Sequence, residues 1–341
     1  METDVPSKTA IPTQKRPPLV HTSETTVDFA ARASLRAKFA LSQRVRQSSA
    51  IELYSHLAFG FESRRLEELK RCRKVGWFVR HKETGLVRLA LDRCNLRWCA
   101  LCGSARVSWI TWTVSEWLAN RDRPKFVTFT IKHSDADLGF QISCLYQFFR
   151  NLRLRPEFCA HVRGGIWFFQ IKKSDRDGLW HNHFHCVIDS KFYPHEELSS
   201  TWCQVTHGSR VVDIRVVRQP GKTANEVARY AACPCDLSKL ELEDRVTAYH
   251  GLHGRRICGT WGTAKGVPLK PPKDEHPELW ENVGSRTVVR ELRFSDSKAK
   301  AILDAWQNHT VLEAGVNCRL TDDFIENNLA HLRKLEVQNY G

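Results

Sequence analysis

Three groups of residues in this 341-residue sequence have the types and spacing to do chemistry. The first is the histidine run in "GLWHNHFHCVID" (178–189), with imidazoles at 181, 183 and 185 and an apolar stretch after them. On a β-strand, residues i and i+2 project from one face about 6.6 Å apart, while i+1 projects from the other. His183 and His185 therefore share a face with Val187, and Phe184, Cys186 and Ile188 point to the opposite, core-facing side. Two imidazoles held side by side on a rigid strand form a preorganised pair of metal ligands. Taken alone, the pair is equally compatible with two partly exposed histidines. His181, at the turn end of the run, is better suited to a supporting or phosphate contact than to ligation.

The second group is in "NEVARYAA", where Glu226 and Tyr230 stand at i and i+4 of an expected helix and so on one face. A tyrosine phenol, with a free pKa near 10, becomes a nucleophile only if a base or a metal field helps it lose its proton. An isolated E-x-x-x-Y is more commonly a surface glutamate and a half-buried aromatic. Just upstream, "RQPGKT" (218–223) opens the helix as a phosphate loop would. A nucleotide-binding motif would need glycine where Val216 stands, which excludes that reading. Lys222 and the helix N-terminus, with Arg229, remain candidates for contacts to a DNA phosphate.

The third group is "CNLRWCALCGSAR", with Cys94, Cys99 and Cys102 at C-x4-C-x2-C spacing and Cys72 upstream across two strand-like runs. Four thiolates so arranged can close a tetrahedral Zn²⁺ site, which a small module would use for stability. Cys233 and Cys235 lack a second pair and predict no further site.

These groups need elements to hold them. Residues 1–27 lack periodicity and read as a disordered tail, and 28–71 as a basic helical arm. Residues 72–119 read as a zinc-binding module followed by a helix, in which Val107, Ile110, Val114 and Trp117 recur at helical spacing. Residues 120–262 alternate strands and helices: "KFVTFTIK", "LYQFFRNLRLR", "GGIWFFQIKK", the histidine strand, "PHEELSSTWCQVT", "RVVDIRVV" and "TANEVARYAA". Asp177-Gly178 predicts an antiparallel hairpin between "FFQIKK" and the histidine strand. Residues 263–341 read as a Pro/Lys-rich linker and a C-terminal accessory region.

A formal net charge of +14 and a pI near 9.4 favour a polyanionic partner, because phosphates neutralised by Lys or Arg release counterions. The polar, Pro-rich N-terminus is unlike a secretory signal, and no window reaches the roughly 18 apolar residues of a membrane span. A cytoplasmic location follows as the expectation, in which twelve cysteines serve as metal ligands or buried thiols rather than disulfides.

Together, three segments in fixed order resemble the rolling-circle plasmid replication initiators of the HUH endonuclease superfamily. They are the strand "FVTFTIKH" (126–133), the His-hydrophobic-His strand at 183–185, and Glu226 followed by Tyr230. The cysteine segment 94–106 and "GRRICGTWG" (254–262) are similar to segments flanking the same core in those proteins. The resemblance covers about 72–262. It implies an α+β fold, an antiparallel-sheet nuclease domain with a ferredoxin- or RRM-like palm, preceded by an N-terminal four-cysteine zinc module. It implies that His183 and His185 hold Mg²⁺ or Mn²⁺ at a scissile phosphodiester. Tyr230 would nick origin DNA, single-stranded or extruded as a hairpin, leaving a 5′-phosphotyrosine and a 3′-OH primer. A host helicase and polymerase would be partners, and Glu226 would activate water at termination.

The family's strand before the histidines commonly carries a glutamate ligand, and here the matching position is Gln170. A neutral amide is a weaker partner for a hard cation. Either Gln170 is a poorer third ligand, or Glu226 contributes, or the register differs by two residues. Two other readings stay open: a transposase or relaxase of the same superfamily, a relaxase normally adding a third histidine, and a non-enzymatic zinc-stabilised DNA-binding regulator.

Overall fold

The computed structural model describes residues 26–58, 61–271 and 276–318, with the side chains of 26–36 and 61 left aside. The tail expected at 1–27 lies outside the described residues except for its last two positions, where helix α1 (Thr26–His56) begins. The chain divides into two compact units, residues 1–42 and 43–341. The first contributes the opening turns of α1, and everything below belongs to the second.

Five antiparallel strands form the larger sheet, in the order β6-β3-β5-β4-β7. They are β3 (Lys125–Thr130), β4 (Val162–Lys173), β5 (Trp180–Ser190), β6 (Val212–Val216) and β7 (Cys258–Gly262). Helices α4 (Leu138–Leu152) and α5 (Pro156–His161) connect β3 to β4, and α6 (His195–Thr206) connects β5 to β6. The expected hairpin is present: β4 and β5 pair from Lys173↔Trp180 to Val162↔Ser190, with Gly178 at φ +69° in the turn, a conformation glycine adopts without strain. The fifth strand, β7, lies in the "GRRICGTWG" segment and was not expected as a strand. Its junction with β4 is tight: a Cβ on Gly164 would lie 2.2 Å from the backbone nitrogen of Thr263.

Residue alternation sorts the sheet into two buried faces. Val127, Phe129, Trp167, Phe169, Ile171, Phe184, Cys186 and Ile188 meet α4, α6 and α8 (Leu242–Leu252) in one core. Phe126, Ile166, Phe168 and Val187 meet α3 (Ala100–Ala119) and α7 (Pro220–Ala232) in another. On α7, Ala224, Val227, Ala228 and Ala231 recur at helical spacing and are fully buried. Their small size lets α7 lie close to Ile110, Val114 and Trp117 of α3 and to the sheet. The histidine face of β5 is thus a covered face, roofed by the helix that carries the tyrosine.

The smaller sheet runs β2-β1-β8, from β1 (Gly76–His81), β2 (Val87–Leu91) and β8 (Trp280–Ser285). Its core joins Phe78 and Val87 to Val283, Val288, Val289, Ala299 and Ile302, drawing in α9 (Arg286–Leu292) and α10 (Ser297–Asn308). This corrects one expectation. The cysteine segment is not an N-terminal module set ahead of the fold. The hairpin of β1 and β2 finds its third strand about 200 residues later, at β8. Cys72, Cys99 and Cys102 are buried in the same core as Phe169 and Phe184 of the larger sheet. A two-stranded hairpin is marginal alone, so it is completed by a remote strand that local sequence does not announce.

Candidate functional site: the imidazole pair beneath the tyrosine helix

Antiparallel register builds the site. β4 and β5 pair Gln170 with His183, and β3 and β5 pair Thr128 with His185 and Thr130 with His183, so these residues share a face. Gln170 Oε1 lies 2.8 Å from His183 Nε2 and 3.0 Å from His185 Nε2, and accepts from both rings. The Thr128 hydroxyl, 3.1 Å from His185 Nδ1, donates to it in that arrangement. Two ring nitrogens and an amide oxygen converge on one point. Replacing the two Nε2 protons by a cation would require both rings to carry their proton on Nδ1, and for His185 the Thr128 oxygen can become the acceptor of that Nδ1–H.

Both imidazoles are held neutral. Burial, then Lys172 and His181, depress His183 to about 4. Burial, then His183, Lys172 and Arg215, depress His185 to about 2. A neutral imidazole is the ligating form, so the donor set fits a divalent cation at neutral pH. Of the three possibilities left by the sequence for the third ligand, the geometry brings Gln170 to the pair, in register with His183.

Tyr230 comes down from α7 onto this pair: its ring stacks on His185 at 4.0 Å between centroids, 15° from parallel. Burial and then the nearby Glu226 raise its pKa, so in the free protein it is a neutral phenol. Glu226 lies one turn away, as the i, i+4 spacing requires, but both its carboxylate oxygens accept from Nη2 of Arg215 on β6, at 2.9 and 3.0 Å. Arg215 also lies over the Phe126 ring, 4.4 Å from its centroid. Lys222 and Arg229 are exposed on α7 and Lys172 is exposed on β4. Thr128, Lys172 and Arg215 were missed in the sequence. Each sits at an alternate position of a strand that was recognised, but only the pairing register shows which alternate set faces the histidines.

His181 does not close with His183 and His185 into a three-histidine group. Its ring lies 3.4 Å from that of His133, beyond the end of β3, and Asp177 of the hairpin turn completes a different cluster.

The four cysteines do converge. Sγ separations are 3.4 Å for Cys72–Cys102, 3.5 Å for Cys99–Cys72 and 3.8 Å for Cys94–Cys102, and all four lie within 4.8 Å of one another. Four thiolates at about 2.3 Å from one tetrahedral Zn²⁺ would stand about 3.8 Å apart, so the cluster can hold a structural metal such as zinc. Hydrogen bonds among the four thiols push Cys102 well below the ordinary range and Cys94 and Cys99 above it, so Cys102 is the first of the group to become the thiolate a metal binds. Cys99 caps α3, its sulfur accepting from Cys102 N–H. Cys233 and Cys235 do not join any group of metal ligands among the described residues.

No family model, curated protein or solved structure matches the chain. Among the described residues no helix is long and apolar enough to cross a membrane.

Proposed function

We propose that this protein is a metal-dependent DNA-nicking endonuclease and strand transferase of the HUH type, acting as a plasmid rolling-circle replication initiator. The observation that carries the reading is the stack of Tyr230 on His185, above two imidazoles and an amide oxygen that converge within 3.0 Å. Gln170, the pair His183 and His185, and Tyr230 supply these groups from three separate segments, and the histidines and the tyrosine follow in the order of the resemblance. The β-α-β-β-α-β succession from β3 to β6, with β3 and β5 central, supports the ferredoxin-like palm.

In this reading His183, His185 and Gln170 hold Mg²⁺ or Mn²⁺, which when bound supplies Lewis-acid stabilisation of developing phosphoryl charge. The chain's own groups do the rest. The Tyr230 oxygen loses its proton and attacks phosphorus, and the bond to O3′ breaks. The electron pair leaves on O3′, which takes up a proton, while the 5′-phosphate stays esterified to Tyr230. Lys172 and Arg215 favour a phosphate on this face, and Lys222 and Arg229 favour the adjoining backbone. One ester replaces another, so no nucleotide is consumed. Glu226 serves as terminating base only after its pair with Arg215 opens, and an incoming phosphate competing for that guanidinium is a physical means of opening it. The cysteine cluster takes Zn²⁺ and braces α3, on which α7 rests. Separation of His181 from the pair favours this two-histidine form over a relaxase.

The test is incubation of the full chain with Mn²⁺ and labelled single-stranded candidate origins, followed by a denaturing gel. A covalent protein–DNA band is expected, absent in Tyr230→Phe while DNA binding persists. Binding without any adduct would favour a non-enzymatic zinc-stabilised regulator.

A further inference from the structure

The turn between β4 and β5 carries a second cluster with the composition of a metal site. His133, Asp177 and His181 each bring one ligand atom, all within 4.8 Å of one another. The His133 and His181 rings are 3.4 Å apart between centroids, inclined at 50°. His133 Nδ1 is 3.9 Å from Asp177 Oδ2, too long for a good hydrogen bond. His181 Nε2 is buried and has no hydrogen-bond partner. A buried ring nitrogen without a partner, packed against a second imidazole and beside a carboxylate, is costly as it stands, and a cation bound through its lone pair would relieve that cost.

The carboxylate is set in advance. Asp177 Oδ1 accepts from Leu179 N–H at 3.0 Å, which fixes the side chain and leaves Oδ2 toward His133. The turn beneath it is closed by Ser174 N–H to Leu179 O at 2.9 Å and Gly178 N–H to Ser174 O at 3.0 Å. His181 is fixed by the register of the long β4–β5 pairing. Two of the three ligands thus stand on rigid backbone, and His133, just past β3, can adjust.

We propose that His133, His181 and Asp177 form a second divalent-metal site, of the two-histidine, one-carboxylate kind that suits first-row transition ions such as Co²⁺, Mn²⁺ or Zn²⁺. Three protein ligands leave the remaining coordination positions to water or to a phosphate oxygen. The site is distinct from the pair at His183 and His185, lying about 6.6 Å further along β5 at the strand's solvent end. Its existence does not depend on the nuclease reading. If that reading holds, the site offers a second cation to the DNA backbone beside the scissile phosphate.

The experiment is a Co²⁺ titration of the full chain with zinc already in the cysteine cluster, followed by calorimetry and visible absorption. Thiolate charge-transfer bands report any exchange at the cysteines. The wild type should bind about two Co²⁺ ions. Asp177→Asn should weaken one of them at least tenfold, and His181→Ala with Asp177→Asn should abolish that one and leave the other. His183→Ala with His185→Ala should do the reverse. Since Asp177 is exposed in a turn, Asp177→Asn keeps the fold even if a His181 variant does not. Unchanged binding in Asp177→Asn and in the double variant would overturn the proposal. So would loss of both ions on removing His183 and His185 alone, which would mean a single centre. Binding of Co²⁺ at the turn by a protein that forms no DNA adduct would sustain this site and remove the nuclease reading.

Discussion

Gln170→Glu asks most directly whether a cation belongs between the imidazoles. Gln170 Oε1 already lies 2.8 and 3.0 Å from the two Nε2 atoms, so a glutamate in the same rotamer presents a carboxylate oxygen where the amide oxygen now stands. A full charge about 4 Å from a divalent ion's centre gains about 4 kcal/mol per unit charge at an effective dielectric near 20. Burying the carboxylate costs several kcal/mol in the metal-free variant as well, and what opposes the Coulomb gain on binding is the loss of its two imidazole hydrogen bonds, about 1.5–3 kcal/mol each, which the ion displaces. A net gain of about 1.4–2.8 kcal/mol, ten- to a hundredfold tighter Mn²⁺, is the expected result. The metal-free variant should be less stable than wild type by about 1–3 kcal/mol, because the new charge lies among groups held neutral by burial. Calorimetric Mn²⁺ titration with parallel urea unfolding measures both. Mn²⁺ affinity that is unchanged, or weaker, would show that Gln170 does not face the ion and would refute the assignment.

Further outcomes follow from the same structure. With His183 depressed to about 4 from an ordinary 6.5, the unfolded chain binds more protons between those values, so stability is whole above about pH 6.5 and falls as the pH drops toward 4. Between pH 7 and 5 this imidazole alone should cost about 2 kcal/mol, read from urea midpoints, and His183→Asn should flatten that slope. Cys99→Ser should lose the bound zinc in elemental analysis and raise hydrogen exchange across residues 72–119. A metal-free wild type that is fully folded after purification without chelator would count against the cluster. Gly164→Ala drives a Cβ into the Thr263 backbone and should lower stability by about 2–3 kcal/mol in thermal unfolding, with wild-type stability refuting the tight crossing. Glu226→Gln should still form the Tyr230–DNA adduct but release it slowly in a pulse-chase, and normal release would exclude Glu226 as terminating base.

Local pattern carried much of this protein. Alternation in 183–188 assigned Phe184, Cys186 and Ile188 to one core and the histidines to the other face, because a strand's two-residue period is a property of the backbone. Helical spacing likewise set Glu226 and Tyr230 on one side of α7, and Asp177-Gly178 marked a hairpin through the one residue type at ease with positive φ. The cysteine spacing announced a cluster that the four sulfurs do form. What sequence could not supply were relations between strands, since register and third partners depend on contacts far apart in the chain. The pairing of β4 with β5 brought Gln170 between the imidazoles, and the packing of α7 on the sheet put Tyr230 on His185. Nη2 of Arg215, shared between both carboxylate oxygens, tied up Glu226, and His133, beyond the end of β3, packed against His181. β8 joined β1 across about 200 residues, and Cys72, Cys99 and Cys102 packed into the core of the larger sheet, where sequence suggested a leading module. Each is a choice among side-chain neighbours that only the closed sheet and its helical roof can make, because burial rewards the arrangement in which all of them are satisfied together.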